Sequence, residues 1–323
     1  MKRAGTILLI FAAAFSLTLF ALNSQSVEFR TLTSQAGIFQ KKEEIKTATV
    51  LFVGDMMFDR YIRTVLARNG NAHVLGGVGQ LLAEADMNVG NLEGPITDNP
   101  SQSQGTAVGE LTNMRFTFAP SVRKLLLDYG FSMVSIGNNH IQDFGTDGAR
   151  STTKYLSGAG IEYVGDPTGD SIEPVIQEVN GIRLAFVSYS DFVGGDSARA
   201  RQALESDAAQ SADAVIVLAH WGSEYETAPP ARVRELARAF ANAGADLIIG
   251  THSHVVGEVE DIGNTRVYYS LGNFVFDQYW TPSVRCGLAV TATFIKEGDA
   301  TNTRYAETNV GMRKDGATAL GCS

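Results

Sequence analysis

The chain has 323 residues, 44% of them apolar and 19% charged, with a net charge of −9. That apolar content supports a large buried core and excludes a disordered chain. The acidic balance, 35 Asp and Glu against 26 Lys and Arg, excludes nucleic acid as a partner, since a duplex-binding surface needs clustered cations.

At the amino terminus Lys2 and Arg3 precede an uncharged run from Ala4 to Leu22. This is an export-type segment, just long enough to cross a bilayer as a helix. Residues 1–26 are therefore expected to be a signal or membrane anchor, with the body on the extracytoplasmic face of the cell membrane, or secreted if the leader is cleaved. Residues 27–46 read as a polar linker, 47–295 as the folded domain and 296–323 as a terminal strand and tail.

The domain opens with TATVLFVGD (47–55), a buried-strand run ending in Asp55. An amphipathic helix over Asp59–Arg68 and a short one over Val78–Ala85 lead to a strand at Met87–Val89, followed by Asn91 and Glu93. Residues 98–113 form a polar loop of the kind that covers a site. Pro120–Tyr129 is a helix with proline at its start. The strand Phe131–Ile136 then delivers Asn139 and His140, and Thr146–Leu156 is helical. Pro174–Val179 and Ile182–Ser188 form a hairpin about Asn180-Gly181. After a helix over Ala198–Ser206, the strand Ala214–Ala219 ends in His220, and an amphipathic helix spans Pro229–Ala243.

Leu247–Val256 (LIIGTHSHVV) carries His252 and His254. Side chains two apart on a strand share a face, so extended geometry past Thr251 would make both imidazoles converge. Hairpins follow over Val255–Ile262 with Arg266–Ser270, and over Gly287–Phe294 with Thr303–Val310. Beyond Met312 the tail reads as loose. The two cysteines match no zinc spacing; a disulfide between them is possible but not arguable from sequence, and the favoured reading makes Cys286 a small buried strand residue and Cys322 part of the frayed tail. Early β–α alternation and later antiparallel pairing imply mixed sheets with helices outside.

Four of the five histidines thus follow apolar runs. Together with Asp55, Glu93 and Asn139, His220, His252 and His254 offer oxygen and imidazole donors without thiolates. That set suits one or two Mn, Fe or Zn ions better than Ca or Mg. Paired ions about 3.5–4 Å apart activate water and clamp a phosphoryl group.

The ordered motifs GD, N-L-E, N-N-H, H-W-G-x-E-Y, G-x-H-x-H and S-L-G-N-F, across roughly 48–295, resemble the CapA-type poly-γ-glutamate capsule synthesis proteins, relatives of the calcineurin-like metallophosphoesterases. The resemblance implies a four-layer α/β/β/α sandwich of metallophosphoesterase type, with metals at the strand ends. By position it makes Asp55 and His254 ligands of a first metal, Glu93 a bridging carboxylate, and Asn139, His220 and His252 ligands of a second. His140 becomes the general acid or phosphate contact, and Arg60, Asn91, Glu224 and Asn273 line the substrate site. Metallophosphoesterases place a histidine two residues after the first aspartate. Met57 stands there, so the first metal lacks an imidazole, a departure the capsule-type branch shares. The function implied is a membrane-tethered part in capsule or poly-γ-glutamate synthesis or export, with an anionic polymer and other capsule synthesis proteins as partners. The alternatives are a metal-dependent phosphoesterase for a nucleotide, sugar or lipid phosphate, and a metal hydrolase that cuts an amide of the polymer.

Overall fold

The computed structural model describes residues 44–107, 109–166, 173–192 and 197–322. The expected leader and most of its linker lie outside them. Among the described residues no helix is long and apolar enough to cross a membrane.

In chain order, β1 (Lys46–Met56) leads through α1 (Arg60–Asn69), α2 (Asn71–Leu75) and α3 (Gly79–Ala83) to β2 (Met87–Leu92). A loop with a 3-10 turn at Leu111–Met114 precedes α4 (Val122–Asp128), β3 (Phe131–Ser135), α5 (Gly145–Ser157) and β4 (Glu162–Val164). Then come β5 (Val175–Val179), β6 (Ile182–Ser190), α6 (Ser197–Leu204), α7 (Asp207–Gln210), β7 (Ala214–His220), α8 (Ala231–Asn242) and β8 (Leu247–Thr251). The chain ends with β9 (Val259–Ile262), β10 (Thr265–Tyr268), β11 (Asn273–Val275), β12 (Cys286–Glu297), β13 (Ala300–Met312) and β14 (Thr318–Leu320).

These strands make two mixed sheets. The first runs β14-β13-β12-β1-β2-β3-β4, with β11 beside the end of β1; the second runs β5-β6-β7-β8-β10-β9. Period-two alternation sorts each strand's side chains into two cores. On β1, Ala48, Val50 and Phe52 enter the core between the sheets, while Leu51 and Val53 face the helices. On β7, Ile216 and Leu218 face inward, and Val215, Val217 and Ala219 meet Val233, Ala237 and Phe240 of α8. Helices α1 to α5 cover the first sheet and α6 to α8 the second. The result is the four-layer α/β/β/α sandwich that the resemblance implies.

Three expectations need correction. The tail past Met312 is not loose: β14 pairs with β13, and Cys322 forms a disulfide with Cys286. Cys286 is therefore a tether of the chain end rather than a lone buried strand residue. A pairing between positions 36 apart depends on which strands become neighbours, which two cysteines in a sequence do not reveal. The strand foreseen from Val255 begins only at Val259, because Val256 makes a single bridge to Leu271.

Candidate metal centre

The two sheets meet at one edge, where the parallel strands end. There β1 passes close to the turn after β10: a Cβ on Gly54 would lie 1.8 Å from the Gly272 carbonyl oxygen, so only glycine fits. Alternation alone would send Asp55 to the helix side with Leu51 and Val53. A register shift between Val53 and Asp55 re-aims it toward the second sheet, as bulges do. On β2, Val89 faces the inter-sheet core, and the same parity carries Asn91 and Glu93 to the junction.

From the opposite sheet, His220 ends β7, and His252 and His254 follow β8. The path past Thr251 is not extended. His252 and His254 have φ of 95° and 59°, the left-handed region that costs a non-glycine residue of order 1–3 kcal/mol. The imidazoles therefore enter through a left-handed turn and not by strand alternation, their ring centres 6.2 Å apart but their neighbours different. The His254 ring lies by Asp55 and Glu93, whereas the His252 ring packs at 4.8 Å from His220 and 4.5 Å from Phe192.

Single donor atoms of Asp55, Glu93 and His220 lie within 4.8 Å of one another, all buried. Asn91 Nδ2 donates to Asp55 Oδ1 (2.7 Å) and lies 3.4 Å from Glu93 Oε2. Asn138 Nδ2 in turn donates to Asn91 Oδ1 at 3.0 Å. The His252 amide donates to Asp55 Oδ2 at 3.2 Å. His220 Nδ1 sits 2.9 Å from Thr251 Oγ1, and its Nε2 faces Asn139 Oδ1 at 2.8 Å. His254 Nδ1 is 2.9 Å from Asn273 Oδ1, which turns Nε2 toward Glu93 Oε1 at 3.6 Å. An imidazole held at one nitrogen by an outer partner is the usual support of a metal ligand.

The electrostatics call for a cation. Burial raises Asp55, but the hydrogen bond and charge of His254, with the Asn91 hydrogen bond beside them, outweigh it and hold its pKa at about 2. Burial and then the Asp55 carboxylate push Glu93 well above the ordinary carboxylate range. Burial likewise lowers His220 and His252, keeping both imidazoles neutral, the form that ligates. Glu93 Oε1 and His252 Nδ1 are buried without a hydrogen-bond partner, a state that costs free energy unless something else binds them. Two buried carboxylates, neutral imidazoles and an amide oxygen fit a divalent ion of the Mn, Fe or Zn type.

The other expected residues flank this cage. His140 Nδ1 lies 2.8 Å from Asp143 Oδ2, and its ring stacks on Phe116 at 4.1 Å. Arg60 is a buried cation in an ion pair with Asp277, between the rings of Phe116 and Phe276. Asn91 and Asn273 lie beneath the cage with their amides engaged. Glu224 is half-buried, and its charge contributes to raising Glu93. Met57 is in the core, its sulfur accepting the Asp59 amide at 3.0 Å. Sequence reasoning missed Asp143, Thr251, Asn138 and Phe192. Only Asp143, three residues after His140, left a readable signal.

A family described as bacterial capsule synthesis protein PGA_cap matches residues 49–278. The PGA biosynthesis protein CapA of Bacillus subtilis (strain 168) is 34% identical over 248 residues, 71% of this chain and 63% of that protein. The capsule biosynthesis protein CapA of Bacillus anthracis is 32% identical over 262 residues, 75% of this chain and 62% of that protein. The chain thus spans less than two thirds of the length of these two relatives. Among solved structures, TT1561 of Thermus thermophilus aligns over 80% of this chain and 98% of its own, with 11% identity and a TM-score of 0.40.

Proposed function

The chain belongs to the bacterial capsule synthesis protein PGA_cap family, and from that membership we propose that it serves capsule or poly-γ-glutamate synthesis or export outside the cytoplasm, through a metal-binding site of phosphoesterase type. The observation that carries the site is the buried Asp55, Glu93 and His220 cluster, with His252 and His254 brought to it from the other sheet. The Cys286–Cys322 disulfide supports an extracytoplasmic setting, since such bonds persist in oxidising compartments. A membrane anchor in residues 1–26 is part of the same proposal.

In this reading Asp55 and His254 would hold one ion and Asn139, His220 and His252 a second, with Glu93 supplying a further carboxylate. When bound, a divalent ion supplies Lewis acidity and an activated water. The chain's own residues do the rest. Asn91 fixes both carboxylates, Thr251 fixes His220, and Asn273 fixes His254. With Nδ1 of His140 on Asp143, its Nε2 is the atom that exchanges a proton with a substrate.

That His140–Asp143 pair beside the cage favours a second reading, a phosphoesterase acting on a nucleotide, sugar or lipid phosphate. Metal analysis of the purified full chain, beside a His252→Ala/His254→Ala variant, tests the site. Wild type should carry a divalent ion that the variant loses, and a wild type that takes up no metal overturns the proposal. Turnover of an aryl phosphate ester with Mn²⁺, lost in His140→Ala, selects the phosphoesterase reading. Retention of γ-linked glutamate without turnover selects the capsule-polymer reading.

A further inference from the structure

Beside the cage opens a cleft of ≈ 240 Å³. Its walls are Tyr61 and Trp280, the hydroxyls of Thr64, Ser103 and Thr106, and the Asn113 amide, with Arg60 and Asp277 at its base. Two contact paths join it to the cage. The Trp280 ring meets Tyr225 at 5.8 Å, and Tyr225 lies 6.0 Å from the His254 ring. Arg60 lies over Phe276, which packs 4.8 Å from His254. Backbone strain collects at this junction: Arg60 and Tyr225 have φ of 48° and 64°, outliers of the kind that cluster at binding sites.

The lining has a definite chemistry. Tyr61 and Trp280 are 43% and 50% exposed and line the same cleft, so both rings offer a face to what enters it. Arg60 is the one cation among the residues that line the cleft. Its Nη2 pairs with Asp277, its Nη1 lies 3.3 Å from Asn113 Oδ1 and its Nε is buried without a partner, and the Asp277 carboxylate leaves the base of the cleft close to neutral. A carboxylate recurring along a polymer finds no free counter-charge here. The Asn113 amide and the Thr106 hydroxyl are engaged with each other, with Arg60 and with the Ser103 carbonyl, and Thr64 Oγ1 accepts from Gln104, so a bound amide carbonyl meets chiefly the Thr64 O–H, while methylenes and amide planes find aromatic faces. The volume falls below the roughly 300–1,000 Å³ that encloses a whole drug-sized ligand, so it suits one stretch of an extended chain whose charged groups stay in water.

We propose that this cleft is a specificity subsite for the uncharged amide-and-methylene backbone of a γ-linked glutamyl chain, gripped by Tyr61 and Trp280. This rests on the capsule-polymer reading above and adds how the chain is recognised: by its backbone and not by its charge. The polymer then runs past Tyr225 to the cage, and its carboxylates remain solvated.

Trp280 is its own reporter, because the second of the two tryptophans, Trp221, is buried at 2% exposure. A short γ-linked glutamate oligomer is titrated into the full chain in chelator, following tryptophan emission, at salt from about 10 mM to about 1 M, where the Debye length shrinks from about 30 Å to about 3 Å. The expected result is a saturable emission change whose affinity varies by no more than about twofold across that range. Tyr61→Ala weakens it at least tenfold. By calorimetry, Trp280→Ala loses binding while Trp280→Phe, which keeps an aromatic face, retains it. The proposal is overturned by no binding, by binding that collapses with salt, or by equal binding of an N-acetylglucosamine oligomer. Metal content, measured on the same wild type, judges the cage separately: a metal-free protein that still binds the oligomer sinks the metal-site reading and leaves the cleft standing.

Discussion

Glu93→Gln offers the sharpest test of the cage, because its effect should change sign with metal. The Glu93 side chain is fully buried, with Oε1 unpartnered and only a long contact from Asn91 to Oε2. Burial first and the Asp55 charge second raise its pKa well above the ordinary value. Between that ordinary value and the raised one, the folded chain holds a proton the unfolded chain has released. Metal-free stability therefore falls as pH rises through this interval, and the full penalty applies above the folded pKa. A tenfold change in proton affinity corresponds to about 1.4 kcal/mol. Glutamine cannot ionise, and its amide can donate toward Asp55 as the protonated acid does. In chelator at mildly alkaline pH the variant should be more stable than wild type by about 1–3 kcal/mol, the cost of leaving a buried polar group unsatisfied. A chain of this size converts that to about 2–4 °C of melting temperature per kcal/mol. With a divalent ion at about 100 times its Kd, wild type gains about 2.7 kcal/mol while the variant gains far less, so the order of the two melting temperatures reverses. Calorimetric melts with and without Mn²⁺ decide the matter. A metal-free variant that melts below wild type, or equal metal-induced shifts in both, refutes the cage.

Asp143→Asn should leave metal content unchanged and lower any phosphate-ester turnover by less than the roughly 10²–10⁴-fold expected for His140→Ala, with an altered pH–rate profile as the readout. Asn273→Ala removes the oxygen that holds His254 Nδ1 and should weaken metal binding about 10–100-fold, read by competition with a chelating dye. Replacing Cys286 and Cys322 together by serine frees β14 and should cost about 2–4 kcal/mol. Reducing agent should then lower the melting temperature of wild type but not of that variant.

Much of this molecule is readable along the chain because its information is local. Runs such as Val50–Val53 and Ala214–Ala219 are apolar on both faces, which marks strands covered on both sides, and the polar residue that ends each run marks the end of the strand, buried between the sheets. Asp55, Glu93, Asn139, His220, His252 and His254 were legible for that reason, and their order along the chain carried the family. Asp143, three residues after His140, left a local signal, whereas Thr251 and Phe192 were not legible, because each acts on a histidine brought near by folding.

What sequence alone determined was therefore the inventory: mixed sheets with helices outside, the donor atoms and the family. Tertiary structure decided direction and pairing. The bulge before Asp55 turns its carboxylate toward the second sheet, and left-handed backbone at His252 and His254 gives two imidazoles 6.2 Å apart different neighbours, Asp55 and Glu93 for His254 and His220 for His252. Arg60 became a buried partner of Asp277, 217 residues away, and Cys286 became the tether of the chain end. Period and propensity follow from residues within one turn or one strand. Register, bulges and long-range pairs follow from which surfaces pack, and that is settled only when both sheets close on one core.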